Sequence, residues 1–183
     1  MSLKPLAYAL LFAAAPAYAA DYVQAPGSTL TFATKYQGEV FSGRLPGFTS
    51  KISFDPARLD TSKFDVTIPL AGADTKNAER DDTLKGTDFF SIAKFPQARF
   101  VATKFRSMGG NNYAADGSLT LRGVSKPVTL TFTWTGGAKP VLSGKATVKR
   151  LDFGVGGGDW ADTSIIPNEV AVSTKVILVP AAK

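Results

Sequence analysis

From Val128 to Thr135 every second residue is apolar and every other one is threonine. Successive side chains of a strand point to opposite faces, so this run can only be a strand with one buried face and one wet face. The same two-residue period runs through Phe64-Asp65-Val66-Thr67-Ile68-Pro69-Leu70, and more loosely through Leu30-Thr31-Phe32 and Phe48 to Phe54. Ser118 to Leu121, Ala146 to Lys149 and the β-branched run from Glu169 to Val179 continue it. Turn signals separate the runs: Gln37-Gly38, Asp55-Pro56, Gly109-Gly110-Asn111-Asn112, Asp116-Gly117, Gly136-Gly137 and Gly156-Gly157-Gly158. About eight strands with short connections predict an all-β antiparallel sandwich or barrel in one domain, not a βαβ chain. No repeat of solenoid or propeller length is present.

The chain contains no Cys and no His. That excludes Cys–His and Ser–His–Asp nucleophile systems, cysteine redox chemistry and zinc sites built on His or Cys. Near the start, Lys4 precedes an apolar run from Leu6 to Ala15, which Pro16 ends before Ala17-Tyr18-Ala19. This order predicts a secretory signal peptide over residues 1–19 and a mature domain over 20–183. The run is too short to span a bilayer, and no Cys follows the cleavage site for a lipid to attach to. A periplasmic location is expected. Net charge is +6, from 21 Lys and Arg against 15 Asp and Glu. These basic residues are scattered, and the densest group, Lys145 to Arg150, alternates with apolar residues as an exposed strand face would. Nucleic acid is therefore not an expected partner, whereas peripheral contact with a membrane surface and a homodimer are both compatible with the sequence.

One stretch breaks the strand pattern. The stretch opens on the capping candidates Asp74, Thr75 and Asn77 and ends at Gly86, which predicts a short helix over about 75–86 closed by a left-handed glycine. Elsewhere the apolar face collects Leu30, Phe32, Phe48, Phe64, Val66, Ile68, Phe100, Leu121, Leu130, Phe132 and Trp134. An eight-stranded barrel is either filled by its own side chains or holds one small ligand. Periodicity leaves both open. A ligand, if held, is apolar and elongated, because this lining brings no polar groups together.

Longer motifs add to the pattern. Thr75 to Phe90, then Lys94-Phe95-Pro96-Gln97-Ala98-Arg99-Phe100, resembles the YceI-like family, and so does Gly117 to Val128. Arg150-Leu151-Asp152-Phe153-Gly154-Val155 followed by Glu169-Val170, and Gly43-Arg44-Leu45 leading to Phe54-Asp55-Pro56, also match in order. The resemblance implies a lipocalin-like barrel that binds long-chain amphiphiles such as polyprenols, isoprenoid quinones or fatty-acid derivatives, without enzymatic activity or metal. It tips the open question toward a hollow barrel. Many members carry a His near the end of the first strand, where this chain has Lys35-Tyr36, so no His contact to a head group carries over.

The candidate ligand-binding residues are then Phe32, Phe48, Phe64, Val66, Ile68, Phe89, Phe100, Leu121, Leu130, Phe132, Trp134 and Trp160, the last in the Gly/Asp loop from Gly156 to Asp162. Asn77, Arg80 and Asp81 are read as a structural helix motif docked by an Arg–Asp pair. No catalytic or metal-binding residue is assigned. Asp81 and Asp82 are adjacent and point about 100° apart on a helix, and Asp152, Asp159 and Asp162 lack the spacing of a calcium loop. The expected function is non-enzymatic binding, transport or storage of a long-chain isoprenoid or related lipid, with a bound quinone or polyprenol as ligand and no cofactor. The alternative is a structural or stress-protection protein with a filled barrel. Export makes the first test simple: N-terminal sequencing of the periplasmic protein is expected to begin at Ala20, and an intact Met1 on cytoplasmic protein would refute the signal peptide.

Overall fold

The computed structural model describes residues 20–182; the expected signal peptide lies outside the described residues. The strands are β1 (Ala20–Gln24), β2 (Thr29–Tyr36), β3 (Glu39–Arg44), β4 (Thr49–Phe54), β5 (Lys63–Pro69), β6 (Gln97–Gly109), β7 (Asn112–Leu121), β8 (Val124–Thr135), β9 (Val141–Lys149) and β10 (Glu169–Pro180). One helix, α1 (Ala78–Lys85), lies between β5 and β6. Among the described residues no helix is long and apolar enough to cross a membrane.

Eight strands close an antiparallel barrel: β4 to β10 pair in chain order, and β1 joins β4 to β10. The hairpin β2–β3 is hung on the same edge of β10. That edge is therefore shared, residues 171–175 pairing with β2 and 178–180 with β1. The β2–β3 turn has both central residues at positive φ, Gln37 at 50° and Gly38 at 86°. Such a turn matches the twist of a tight hairpin, and glycine takes its second position without strain.

Alternation sets the faces as the sequence predicts. Phe132 and Trp134 of β8 are buried, while Thr129, Thr131, Thr133 and Thr135 are exposed. Across the outer surface, Asp65 receives two hydrogen bonds from Arg99 on the neighbouring strand, at 2.9 and 2.7 Å. Asp116 receives two from Arg106, at 3.0 and 3.4 Å, and one from the Thr129 hydroxyl at 2.6 Å.

The helix forms where expected, but its ends differ in detail. Asn77 caps it, its side-chain oxygen accepting from the Arg80 N–H at 2.9 Å. Gly86 at the other end is extended, with φ −65° and ψ 171°, rather than left-handed. The last carbonyls of the helix are met instead by the turns that follow, the Phe90 N–H donating to the Leu84 carbonyl at 2.9 Å and the Ile92 N–H to that of Lys85 at 3.2 Å. Nor do Arg80 and Asp81 pair with each other. Both hold Thr75, which is buried: Asp81 accepts from its N–H and hydroxyl at 2.8 and 2.6 Å, and Arg80 Nε donates to its Oγ1 at 2.9 Å.

The outer carboxylates predict the acid response. Hydrogen bonds from Arg99 hold the Asp65 carboxyl below its ordinary value of 3.8, and those from Arg106 and then Thr129 do the same for Asp116. Groups with depressed folded-state values stabilise the fold above the unfolded value and lose that contribution as pH falls through the folded one. With no His, no side chain of ordinary pKa titrates between pH 5 and 8. The melting temperature is expected to stay level over pH 5–8 and to fall below about pH 4. Asp65→Asn with Asp116→Asn should flatten that acid limb in thermal melts.

Candidate ligand cavity

One end of the barrel is solid. Phe54 stands at its centre, with ring centroids of Phe64, Phe105, Tyr113, Phe132 and Trp134 at 6.1, 6.0, 5.1, 5.3 and 4.8 Å. Most of these pairs are tilted or edge-on, the arrangement the ring quadrupole favours, at about 0.5–1.5 kcal/mol each beyond burial. Tyr22 of β1 adds an edge contact to Trp134 at 5.6 Å.

Above this plug the barrel is hollow. The cavity measures about 220 Å³, far beyond the ~10–15 Å³ that one water needs. Of its 31 lining residues all but Thr34, Ser50, Arg150 and Thr174 are apolar. Nine of the sequence-derived candidates line it: Phe32, Phe48, Phe64, Val66, Ile68, Phe89, Phe100, Leu121 and Leu130. Three stand elsewhere. Phe132 and Trp134 are on the inward face but at the level of the plug, where β4 to β7 also present rings and no space remains. Trp160 packs outside the cavity wall, edge-on to Phe89 at 5.5 Å. The choice between filled and hollow thus resolves into one filled end and one hollow remainder.

The open end is covered by two segments. The connection after α1 brings Phe89 and Phe90 over the cavity, and α1 itself contributes Leu84. Arg122, in the β7–β8 turn, straps that connection by donating to the carbonyls of Thr87, at 2.7 Å, and Phe89. The second segment, residues 150–168, is organised by Arg150. Its guanidinium is buried and donates to five carbonyls: Pro167 at 3.1, Val155 at 3.0, Gly156 at 2.5, Trp160 at 2.8 and Ile166 at 2.7 Å. All five N–H donors are engaged. Among the described residues no carboxylate pairs with it, and burial lowers its pKa from the ordinary guanidinium value.

Gly156 makes that approach feasible. It sits at φ +66°, and a Cβ there would lie 2.6 Å from Arg150 Nη1 and 3.1 Å from Phe89. Its N–H also donates to the Asp88 carbonyl at 2.6 Å, which joins the two covering segments. Arg150 therefore does not belong to the exposed basic face expected for Lys145 to Arg150. Ala146, Val148 and Arg150 share one parity, so alternation turns Arg150 inward while Lys145 and Lys149 stay exposed. Parity was the signal that could have found it, and the same rule applied to Leu30 and Phe32 places Thr34 inward.

Helix α1 shares in the closure through polar contacts rather than a broad apolar face, Leu84 being its one buried residue. Arg80 lies 4.3 Å over the ring of Phe41, a cavity residue of β3, and a backbone bridge joins Arg44 of β3 to Asp74 before the helix. Asp162, in the covering loop, turns its carboxylate to the N–H and hydroxyl of Ser164 at 2.8 and 2.7 Å. Those bonds hold it below the ordinary carboxylate range.

The chain belongs to the YceI-like domain family. The family's model matches residues 22–178, which is almost the whole barrel. A UPF0312 protein of Pseudomonas syringae pv. tomato is 34% identical over 158 residues, covering 80% of this chain and 82% of the relative. Among solved structures, BcnA of Burkholderia cenocepacia superimposes with a TM-score of 0.79 at 32% identity, over 82% of this chain and 95% of that one. A polyisoprenoid binding domain from Saccharophagus degradans shares the fold, with a TM-score of 0.69 at 14% identity over 90% of this chain and 100% of that one.

The carbonyl cluster around Arg150 makes the YceI-like cover sensitive to a single side chain. Arg150→Met keeps the length but leaves five carbonyls without their donor, and should cost at least about 3 kcal/mol in urea unfolding. Lys149→Met, one residue away and exposed, should change stability by less than about 0.5 kcal/mol.

Proposed function

We propose that this YceI-like protein is a non-enzymatic periplasmic carrier or store for a long-chain isoprenoid or related amphiphile, with an isoprenoid quinone or a polyprenol as cargo. The observation that carries the reading is the hollow above the plug: a covered cavity whose lining is apolar at all but four of its 31 residues. Such a lining offers hydrocarbon what water does not. Each buried CH₂ contributes about 0.8 kcal/mol, so about a dozen would supply roughly 10 kcal/mol against the costs of binding. No pair of carboxylates faces the cavity to act as acid and base. The polyisoprenoid binding domain of Saccharophagus degradans shares this fold, and membership of the YceI-like family supports the same class of ligand. The covered, apolar mouth would shield a lipid tail across an aqueous compartment, which suits the export expected from residues 1–19. A filled-barrel interaction protein would have no use for this hollow.

Protein stripped with organic solvent and refolded is expected to take up one polyprenol or quinone per chain, saturably. Bound cargo should raise the melting temperature, since a ligand of the folded state adds about 2.7 kcal/mol at a hundred times its Kd. Val66→Trp or Leu130→Trp, each placing an indole in the cavity, should weaken uptake at least about tenfold while the far-ultraviolet strand signal persists. Absence of saturable binding to quinones, polyprenols and fatty amides alike would refute the proposal.

A further inference from the structure

The cavity has a length as well as a volume. Strand β10 lines it with Val170, Val172, Thr174 and Val176. Val170 stands at the mouth, beside the covering loop that precedes β10. Val176 is level with the plug, since it pairs with Leu142, which pairs with Trp134. From Val170 to Val176 the strand advances six residues at about 3.3 Å each, and a tilt of about 40° reduces this to a height of roughly 15 Å. A dry cavity of about 150 Å³ in another protein holds one benzene, six carbons. By that measure the 220 Å³ here hold about nine carbons. Nine carbons over 15 Å is about 1.7 Å per carbon, close to the ~1.5 Å of one carbon–carbon bond. The chamber is therefore on average one extended chain wide.

Phe64 of β5 is its floor. Of the rings that meet in the plug, Phe64 is the one that also lines the cavity. Behind it stand Phe105, Phe132 and Phe54, with centroids at 4.7, 5.3 and 6.1 Å. A chain that reaches Phe64 goes no farther. The wall, in turn, offers a polar head nothing. Ser50 donates to Gln24 Oε1, Thr174 to the Thr29 carbonyl and Arg150 to five carbonyls, while Thr34 Oγ1 is sealed from solvent. Moving a polar group from water into such a space without a hydrogen bond is costly.

We infer that the chamber is a single-file socket for the end of a hydrocarbon tail, with Phe64 setting its depth. It takes about nine carbons of one chain, close to two isoprene units, tail first. The head group and the rest of a longer chain stay beyond the mouth. This rests on the cargo reading above and adds to it which end of the cargo is held and how much of it. Affinity then grows with chain length only until the tail meets Phe64, because CH₂ groups beyond that point bury nothing against the wall. Phe64 is a specificity residue for length, and the protein selects by chain rather than by head.

The test is a length series: alkyl glucosides of six to fourteen carbons, each below its micelle concentration, titrated into wild type, Phe64→Leu, Phe64→Ala and Phe105→Leu. The glucose ring is too polar to follow the chain inside, so these probes enter tail first. In wild type each added CH₂ is expected to tighten binding about fourfold up to about nine carbons, and to add little beyond. The break should move to longer chains in Phe64→Leu and farther in Phe64→Ala. Phe64→Leu keeps more of the packing and carries the comparison if the alanine protein does not fold. Phe105→Leu removes a plug ring that touches Phe64 but does not line the cavity, so it should lower the melting temperature and leave the break in place. Affinity that climbs steadily through fourteen carbons overturns the socket. A break that stays put in folded Phe64→Leu, or moves equally in Phe105→Leu, overturns the role of Phe64. If the glucosides fail to bind while a polyprenol is taken up, tail-first entry falls and the cargo reading stands; if neither binds, the cargo reading itself falls.

Discussion

The structure depends on the double use of β10. One edge of this strand pairs with nine residues of β9, and the other is divided between β2 and β1. Those few pairs with β1 turn a curved sheet into a closed ring. Closure leaves no free edge in the ring and satisfies the backbone from strand to strand. It also gives the apolar face of every strand a single destination, the interior. What fills that interior then decides what the molecule can do.

The interior is divided because ring size and wall spacing match at one end only. Where β4, β5, β6, β7 and β8 each bring an aromatic to one level, five rings meet around Phe54 and leave no room. Farther along, the same strands bring Val66, Ile68, Leu121 and Leu130, which line the wall without reaching across. The plug gives the fold its packed nucleus, and the hollow part needs other support. That support is polar and sits at the mouth. Arg150 gathers five carbonyls of a loop that has little regular structure, Gly156 ties the connection after α1 to that loop, and Arg122 straps the same connection to the β7–β8 turn. A guanidinium suits this task because its planar fork presents five donors in fixed directions. The YceI-like barrel thus keeps an apolar chamber closed by hydrogen bonds rather than by more hydrocarbon.

Much of this was legible in the residues. Alternation in Val128 to Thr135 gave the faces of β8, Gln37-Gly38 and Gly109-Gly110 marked tight turns, and Asn77 marked the start of α1, whereas Asp116-Gly117 runs on inside β7. These are local signals, set by φ preferences and by the period of a strand, and they survive without knowledge of the partner strand. Nine of twelve cavity candidates line the hollow, the strand residues among them because parity turns them inward and Phe89 because the connection after α1 covers the mouth. Parity says nothing of height along the barrel, so Phe132 and Trp134 were grouped with cavity residues although they belong to the plug.

The sequence by itself determined the class of fold, the inward face, the helix and the chemistries that a chain without Cys or His cannot perform. Those follow from composition and from distances of a few residues along the chain. Only the tertiary structure decided where the interior is solid and where it is empty, because a void is the difference between side-chain volume and the space that closure encloses. It alone decided the role of Arg150. The partners of Arg150 lie as far as 17 residues away, and its charge read as surface charge until they were in place.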